Sequence, residues 1–440
     1  MAGTKTDETT EAAEAGDSAE AAALREELRD WIADNWDPEI TLAEWWGRLF
    51  DGRWTMPNWP EEAYGRGLSG GLTRIVSEEL RDAGCPAGPG GLGVLLAGPT
   101  IITHGSEEQK ERYLPPMLRG EEAWCQLFSE PNAGSDLAGL QTRAVRDGDE
   151  WIVNGQKVWS SGAHTAQLGM LIARTDFDVP KHQGITYFGI DMDQPGIEIR
   201  PIKEMTGRAL FNEVFMDDAR VKDADTIGGL GNGWAVANTT LANERSGLGG
   251  GSDAAGGIPA GPKAGMLQKL AGELSPKKRP RTGTGAVFSS FGSSMLIDQA
   301  KELGRADDPV IRQELAKLFE LEEISKYTSL RVKAAVKAGK GPGAEVSTMK
   351  LNMSRIVRQN RETGLAILGA HGMLLGKESM TGGILQELAL FSPAPSIYGG
   401  TDQIQKNIIG ERVLGLPREP RNDKDVPFKD LAQNKLEAAG

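Results

Sequence analysis

The hydrophobic period changes twice along the chain, and this constrains the fold more than any other feature. In "ALREELRDWIADNW" the residues Leu24, Leu28, Trp31, Ile32 and Trp36 share one stripe at the spacing of a half-buried helix. "GSEEQKERYLPPML" is also helical in pattern, with Ser106 placed to cap it and Pro115–Pro116 expected to end it. Between about 125 and 225 the pattern alternates. The dipeptides Asp147-Gly148 and Asn154-Gly155 read as turns around an alternating apolar run, and "LGMLIART", "GITYFGID" and "GIEIRPI" continue it as a hairpin-rich, antiparallel β-domain. From about 226 the helical period returns. "DDPVIRQELAKLFELEEISKY" reads as a long helix with Asp307 or Asp308 near its start and Pro309 in its first turn. Val346, Met349, Met353, Ile356 and Ile367 read as the buried stripe of another.

Helices, strands, then helices make a three-part chain, and 440 residues are too many for one compact core. The expected parts are an acidic disordered tail over 1–21, a helical domain over 22–124, a β-domain over 125–225, a helical domain over 226–420 and a C-terminal tail over 421–440. Residues 249–293 are glycine-rich and read as a flexible surface insertion in the last domain, with room for a short helix near 264–274. Its basic cluster, Lys277, Lys278, Arg279 and Arg281, could meet a ligand phosphate, although a solvated loop is the commoner outcome.

Composition removes several function classes. A net charge of −13 leaves no basic face for a nucleic-acid backbone. The two cysteines have neither metal-type spacing nor a disulfide framework, and the four histidines form no ligand pair, so no metal site is expected. The first twenty residues carry no apolar signal-peptide core, and no run of 18 apolar residues exists, so a reducing, cytoplasmic setting is expected. "GPGGLG" at 88–93 has dinucleotide-type glycine spacing without the strand and acidic residue that chemistry needs. "GMLLGKES" at 372–379 lacks the spacing of a phosphate loop.

Two stretches are chemically suggestive. In "WCQLFSEPNAGSDLAGLQTRA" an apolar strand runs into a turn whose amide N–H groups and serine hydroxyl could hold a phosphate or a polar ring edge; read alone, an ordinary β-turn is equally good. In "ANTTLANERSGLGGG" the adjacent Glu244 and Arg245 stand where Leu241 and Leu248 suggest entry into a core. A surface ion pair worth under ~1 kcal/mol is the plain alternative there.

With "NGQKVWSSGAHTA" and "SIYGGTDQIQKNIIGERVLGLPR", the first of these stretches resembles the acyl-CoA dehydrogenase family of flavoproteins, in order and spacing, over residues 22–418. The resemblance implies an α+β multidomain fold: an N-terminal α-helical domain, a middle antiparallel β-barrel-like domain and a C-terminal four-helix bundle. It implies FAD as cofactor, an acyl-CoA thioester as substrate, an electron-transfer flavoprotein as acceptor, and a homo- or hetero-tetramer. Gln126, Phe128 and Ser129 match positions along the flavin ring. Gly134 and Ser135 match the turn that meets the flavin phosphates and the acyl-CoA. Trp159 matches the aromatic packed beside the flavin, with Ser160 next to it, and Ser161 matches the hydroxyl that bonds flavin N5. Thr401 and Gln403 match residues that reach the adenosine half.

The family removes an α-proton with a carboxylate while a hydride leaves the β-carbon for the flavin. Many relatives carry that carboxylate in Y-E-G-T, where this chain has Tyr398-Gly399-Gly400-Thr401. Relatives that accept long or branched acyl chains carry it instead in a helical E-R pair, which Glu244-Arg245 matches. Glu244 is therefore the expected base, on an apolar wall, and Arg245, Tyr398 and Gly399 the expected substrate contacts. Gly399 also removes bulk, which suits a branched or steroid side-chain substrate. Ala366 stands where relatives have a glutamine that binds FAD across a subunit interface, and the R-x-x-F-G segment has no clear counterpart. Both departures resemble the subunits of heteromeric steroid side-chain dehydrogenases. A non-catalytic structural subunit, or an acyl-CoA oxidase on the same fold, stay open as alternatives.

Overall fold

In the computed structural model, residues 19–250, 257–276, 292–338, 343, 346–418, 420 and 423–431 are described, with side chains left out at 245–250, 336–337 and 377. Five helices open the chain: α1 (Ala19–Asn35), α2 (Leu42–Asp51), α3 (Gly70–Ala83), α4 (Gly98–His104) and α5 (Glu107–Leu118). Local chemistry sets their starts. The Ser106 hydroxyl accepts from the Gln109 N–H, and the Gln109 side chain returns the bond to Ser106, a complete capping box on α5. Pro115 and Pro116 do not end α5 but sit in its last turn; each lacks the N–H that would bond back along the helix, and α5 stops two residues later, at Leu118.

Eight strands form the middle sheet: β2 (Trp124–Leu127), β3 (Arg143–Asp147), β4 (Glu150–Lys157), β5 (Leu168–Arg174), β6 (Ile185–Asp191), β7 (Ile197–Ile202), β8 (Phe211–Lys222) and β9 (Thr226–Ile227). The order is β7-β8-β4-β3-β5-β6-β9, with β2 also on β5. The sheet differs from the expected antiparallel barrel in two ways. It is open, and it is mixed: β2 and β3 both run parallel to β5. Parallel neighbours need a long crossover, so no turn dipeptide could announce them. Gly148 makes the expected hairpin turn between β3 and β4, with φ 67°. Asn154-Gly155 does not turn; it is a register shift of β4 against β8, a bulge that lets the strand continue.

Helix α6 (Gly233–Gly250) leaves the sheet, and α7 (Ser293–Glu302), α8 (Pro309–Lys337), α9 (Val346–Leu368), α10 (Ile384–Phe391) and α11 (Asp402–Ile408) form the C-terminal part. Leu296, Ile311, Leu318, Ile367, Leu385 and Leu388 make its core. Asp308 is the residue that caps α8, accepting from the N–H of Val310 at 2.9 Å. The expected stripe on α9 is only partly right. Ile367 is buried, but the rest of the buried face is largely polar: Ser347, Lys350, Asn352, Ser354, Asn360 and Thr363. Met349, Met353 and Ile356 are half-buried.

The glycine-rich insertion is not a free surface loop throughout. Residues 257–276 pack on the N-terminal helices: Ile258, Met266, Ala271 and Leu274 join the core of Trp45, Trp46 and Leu28. The short strand β10 (Ile258–Pro259) pairs with β1 (Pro89–Gly90). Single turns at Pro262–Ala264 and Ala271–Leu274 replace the expected short helix. The basic cluster at 277–281 lies outside the described residues. A second core joins the N-terminal helices, the sheet and α6 through Met117, Tyr113, Trp124, Phe128, Tyr187 and Val236, so the first two parts share one interior.

Candidate active site

Three distant segments meet at one end of the sheet. Strand β2 carries Gln126, whose side-chain N–H donates to Glu244 Oε2 at 3.5 Å. Glu244 stands on α6, half-buried. The third segment is the loop before α11: burial, and then the Glu244 charge, push the Tyr398 phenol up to about 12. Glu244 is therefore drawn partly inside, and its wall is not simply apolar. Lys350 of α9 is buried and within electrostatic reach of both Asp402 and Glu244; burial pulls its ammonium below the usual value, and the carboxylates oppose this. Nothing in the sequence pattern marked Lys350, which falls between apolar residues on a helix.

Lys350 also shapes the loop. Its Nζ donates to the Pro395 carbonyl at 2.6 Å, and the Ser354 hydroxyl donates to the same oxygen at 2.9 Å. One turn further, Arg358 donates to the Ser396 hydroxyl at 2.7 Å and pairs with Asp402. These residues recur at i, i+4 and i+8, one face of α9. Beyond them Gly399 and Gly400 take φ of 62° and 83°, the left-handed region that glycine enters without strain. The Thr401 hydroxyl caps α11 by accepting from the Ile404 N–H at 3.1 Å, and Gln403 is exposed at the mouth of an open cavity of about 460 Å3. Arg245 lies on α6 with its side chain outside the described residues.

The turn after β2 is fastened by a buried ion pair that sequence reading missed. Lys157 Nζ lies 2.8 Å from Glu130 Oε1 and also donates to the Phe128 carbonyl at 3.0 Å. The remaining capacity of Glu130 is filled by the N–H groups of Gln141 at 2.6 Å and Thr142 at 2.9 Å. Burial alone would raise the Glu130 carboxyl; Lys157 and these N–H donors hold it below its ordinary range. The Val158 N–H donates to the Ser129 carbonyl at 2.9 Å, which brings the first two motifs side by side. The Phe128 ring points into the core, edge-on to Tyr187, and the residue is buried. Gly134 and Ser135 form an exposed turn in which a Cβ on Gly134 would meet nothing within 4 Å.

Past β4, Trp159 has φ 62° and is 58% exposed, its indole edge-on to Phe211. A left-handed backbone at a tryptophan is strained and persists only because its surroundings hold it. Beside it Ser160 is fixed by two bonds with Asn212: its N–H donates to the Asn212 carbonyl, and the Asn212 amide donates to the Ser160 carbonyl. The Ser160 hydroxyl is buried without a hydrogen-bond partner among the described residues. Ser161 is half-buried at the same rim. An exposed indole, an orphaned hydroxyl and an open glycine turn fit a flat, phosphate-bearing cofactor. Among the described residues no group of acidic, histidine or cysteine side chains could hold a metal ion, and no helix is long and apolar enough to cross a membrane.

The fold and this site define an acyl-CoA dehydrogenase, and the chain belongs to that family. Residues 10–121 match the family's N-terminal domain, 125–219 its middle domain and 295–414 its C-terminal domain. The chain is 37% identical to the acyl-CoA dehydrogenase IpdE1 of Mycobacterium tuberculosis over 417 residues, 90% of this chain and 98% of that protein. Among solved structures it is similar to the Tcur3481-Tcur3483 steroid ACAD (TM-score 0.69, 27% identity, covering 92% of this chain and 99% of that one). It is also similar to the ChsE4-ChsE5 complex from Mycobacterium tuberculosis (TM-score 0.66, 25% identity, covering 91% and 98%). The family is FAD-dependent, and the chain is an oxidoreductase acting on acyl-CoA.

Proposed function

We propose that this chain carries out α,β-dehydrogenation of a bulky, branched or steroid side-chain acyl-CoA thioester, with Glu244 as the base that takes the α-proton. The observation that carries this reading is the hydrogen bond from Gln126 of the flavin-side strand to Glu244, with the Tyr398 phenol of the Y-G-G-T loop within electrostatic reach of that carboxylate. Position 399, where many relatives keep their base, is glycine. Gln126 orients the carboxylate, and the buried Lys350 acts on it electrostatically. Trp159, Ser160, Ser161 and the backbone of Phe128 and Ser129 would hold the isoalloxazine, and Gly134 and Ser135 the phosphates. Bound there, FAD supplies the acceptor for the hydride that leaves the β-carbon. Glu244 then holds the α-proton at its carboxylate until solvent removes it, and an electron-transfer flavoprotein takes the electrons. Replacing a side chain by Gly399 leaves room for a wide acyl group, and the steroid ACAD likeness supports that choice.

A second reading is favoured by Ala366, which is exposed on α9 and has no group to donate across a subunit interface. On that reading the chain completes its cofactor site only with a second, unlike subunit, as the two-chain ChsE4-ChsE5 complex suggests. Anaerobic absorbance titration of the purified chain with straight-chain and steroid side-chain acyl-CoA thioesters tests both. Bleaching by the bulky class supports the first reading. Bleaching only by straight chains overturns the substrate assignment, and no flavin until a partner is added supports the second. Hydrogen peroxide formed in air at the turnover rate would mark an oxidase instead.

A further inference from the structure

The chain returns to the sheet after the family match ends at residue 414. Phe428 is fully buried, 3.3 Å beneath the Arg174 guanidinium and 5.8 Å from the Phe177 ring. Its N–H donates to the Val179 carbonyl at 2.9 Å, and the Lys429 N–H to the Phe177 carbonyl at 3.0 Å. Lys429 also pairs with Asp178, and Pro427 bridges Pro180. The segment 423–431 is thus fastened to the loop between β5 and β6.

What lies under it is the support of the turn at 132–140. Arg174 ends β5, fully buried, and spends its donors on backbone carbonyls: Nη2 to Ala138 at 2.7 Å, Nε to Leu140 at 3.3 Å and Nη1 to Lys181 at 3.0 Å. Burial pushes this guanidinium down to about 10. None of these three oxygens is charged; the carboxylates of Glu130, Asp136 and Asp176 act on the cation electrostatically, and the Phe428 ring covers its face. A second buried cation ties the turn to the C-terminal segment. Lys181 lies 3.0 Å from Asp136, in the turn, and 3.1 Å from Asp423, in the C-terminal segment.

We propose that residues 423–431 are part of the cofactor site: Phe428 sheathes Arg174, Asp423 seats Lys181, and these two cations set the turn that carries Gly134 and Ser135. Arg174, Lys181 and Phe428 are positioning residues, and the proposal rests on the reading of that turn as the flavin phosphate site. A merely structural segment would lower stability without singling out the turn. The test uses full-length Phe428→Ala, Lys181→Met and Lys181→Arg, with FAD affinity read by fluorescence titration and amide hydrogen exchange read on the FAD-free protein. Phe428→Ala and Lys181→Met are expected to raise the FAD Kd by about tenfold or more. Exchange should quicken across 132–142 while α9 stays protected, and Lys181→Arg should restore both. Wild-type Kd and exchange in the two disruptive variants would overturn the proposal. Faster exchange at 132–142 with an unchanged Kd would instead overturn the reading of the turn as the phosphate site.

Discussion

The Gln126 side-chain amide reaches the Glu244 carboxylate at 3.5 Å, joining strand and helix across 118 residues of sequence. That contact ties the proposed base to the strand expected along the flavin. A hydrogen bond to a charged group is worth roughly 1.5–3 kcal/mol. Gln126→Leu is therefore expected to lower kcat about tenfold with little change in KM, because it loosens the base without removing it. Steady-state kinetics with the best thioester checks this; an unchanged kcat would mean that the contact does not orient Glu244.

The Lys157–Glu130 pair gives a stability prediction. Lys157→Met leaves a buried carboxylate uncompensated and is expected to cost about 3–5 kcal/mol, read as a loss in chemical denaturation. The pH dependence follows from the direction of the Glu130 shift. Its folded pKa lies below the ordinary value of 4.5, so its stabilisation is complete above that pH and fades as pH falls through the folded value. In Glu130→Gln the stability deficit should therefore be largest near neutral pH and shrink in acid.

Trp159 separates folding from cofactor binding. Trp159→Gly relieves a left-handed backbone worth about 1–2 kcal/mol. It also gives up an aromatic pair worth about 0.5–1.5 kcal/mol and adds glycine entropy of about 0.5–1 kcal/mol. These offset, so the Tm without cofactor should hardly move. FAD affinity, which gains from stacking on the indole, should fall by about tenfold. A large Tm loss with unchanged affinity would make Trp159 a folding residue.

The parts of this architecture that sequence reading captured are those decided within a few residues. Ser106 and Asp308 cap helices because their side chains meet N–H groups of the next turn, and Gly148 turns because its own φ permits it. What escaped depends on partners far along the chain. Asn154-Gly155 becomes a bulge only because β8 runs beside it. The polar face of α9 is buried because its lysine and serine bond a carbonyl 45 and 41 residues away. Lys157 looks like an ordinary strand lysine until Glu130 is folded against it. In the candidate site, motif position is what singles out Glu244, Trp159 and the glycine turn at 134–135. It does not single out Lys350 or the C-terminal segment, since neither carries a local signal.

The most direct test of Glu244 as the base is rapid anaerobic mixing of flavin-loaded Glu244→Gln with the acyl-CoA that bleaches the wild-type protein. The amide keeps the shape and the Gln126 neighbour but cannot take a proton. The variant should retain flavin and bind thioester, and bleach slower by roughly 10²–10⁴-fold. Bleaching at the wild-type rate would contradict the assignment and move the base elsewhere in the site.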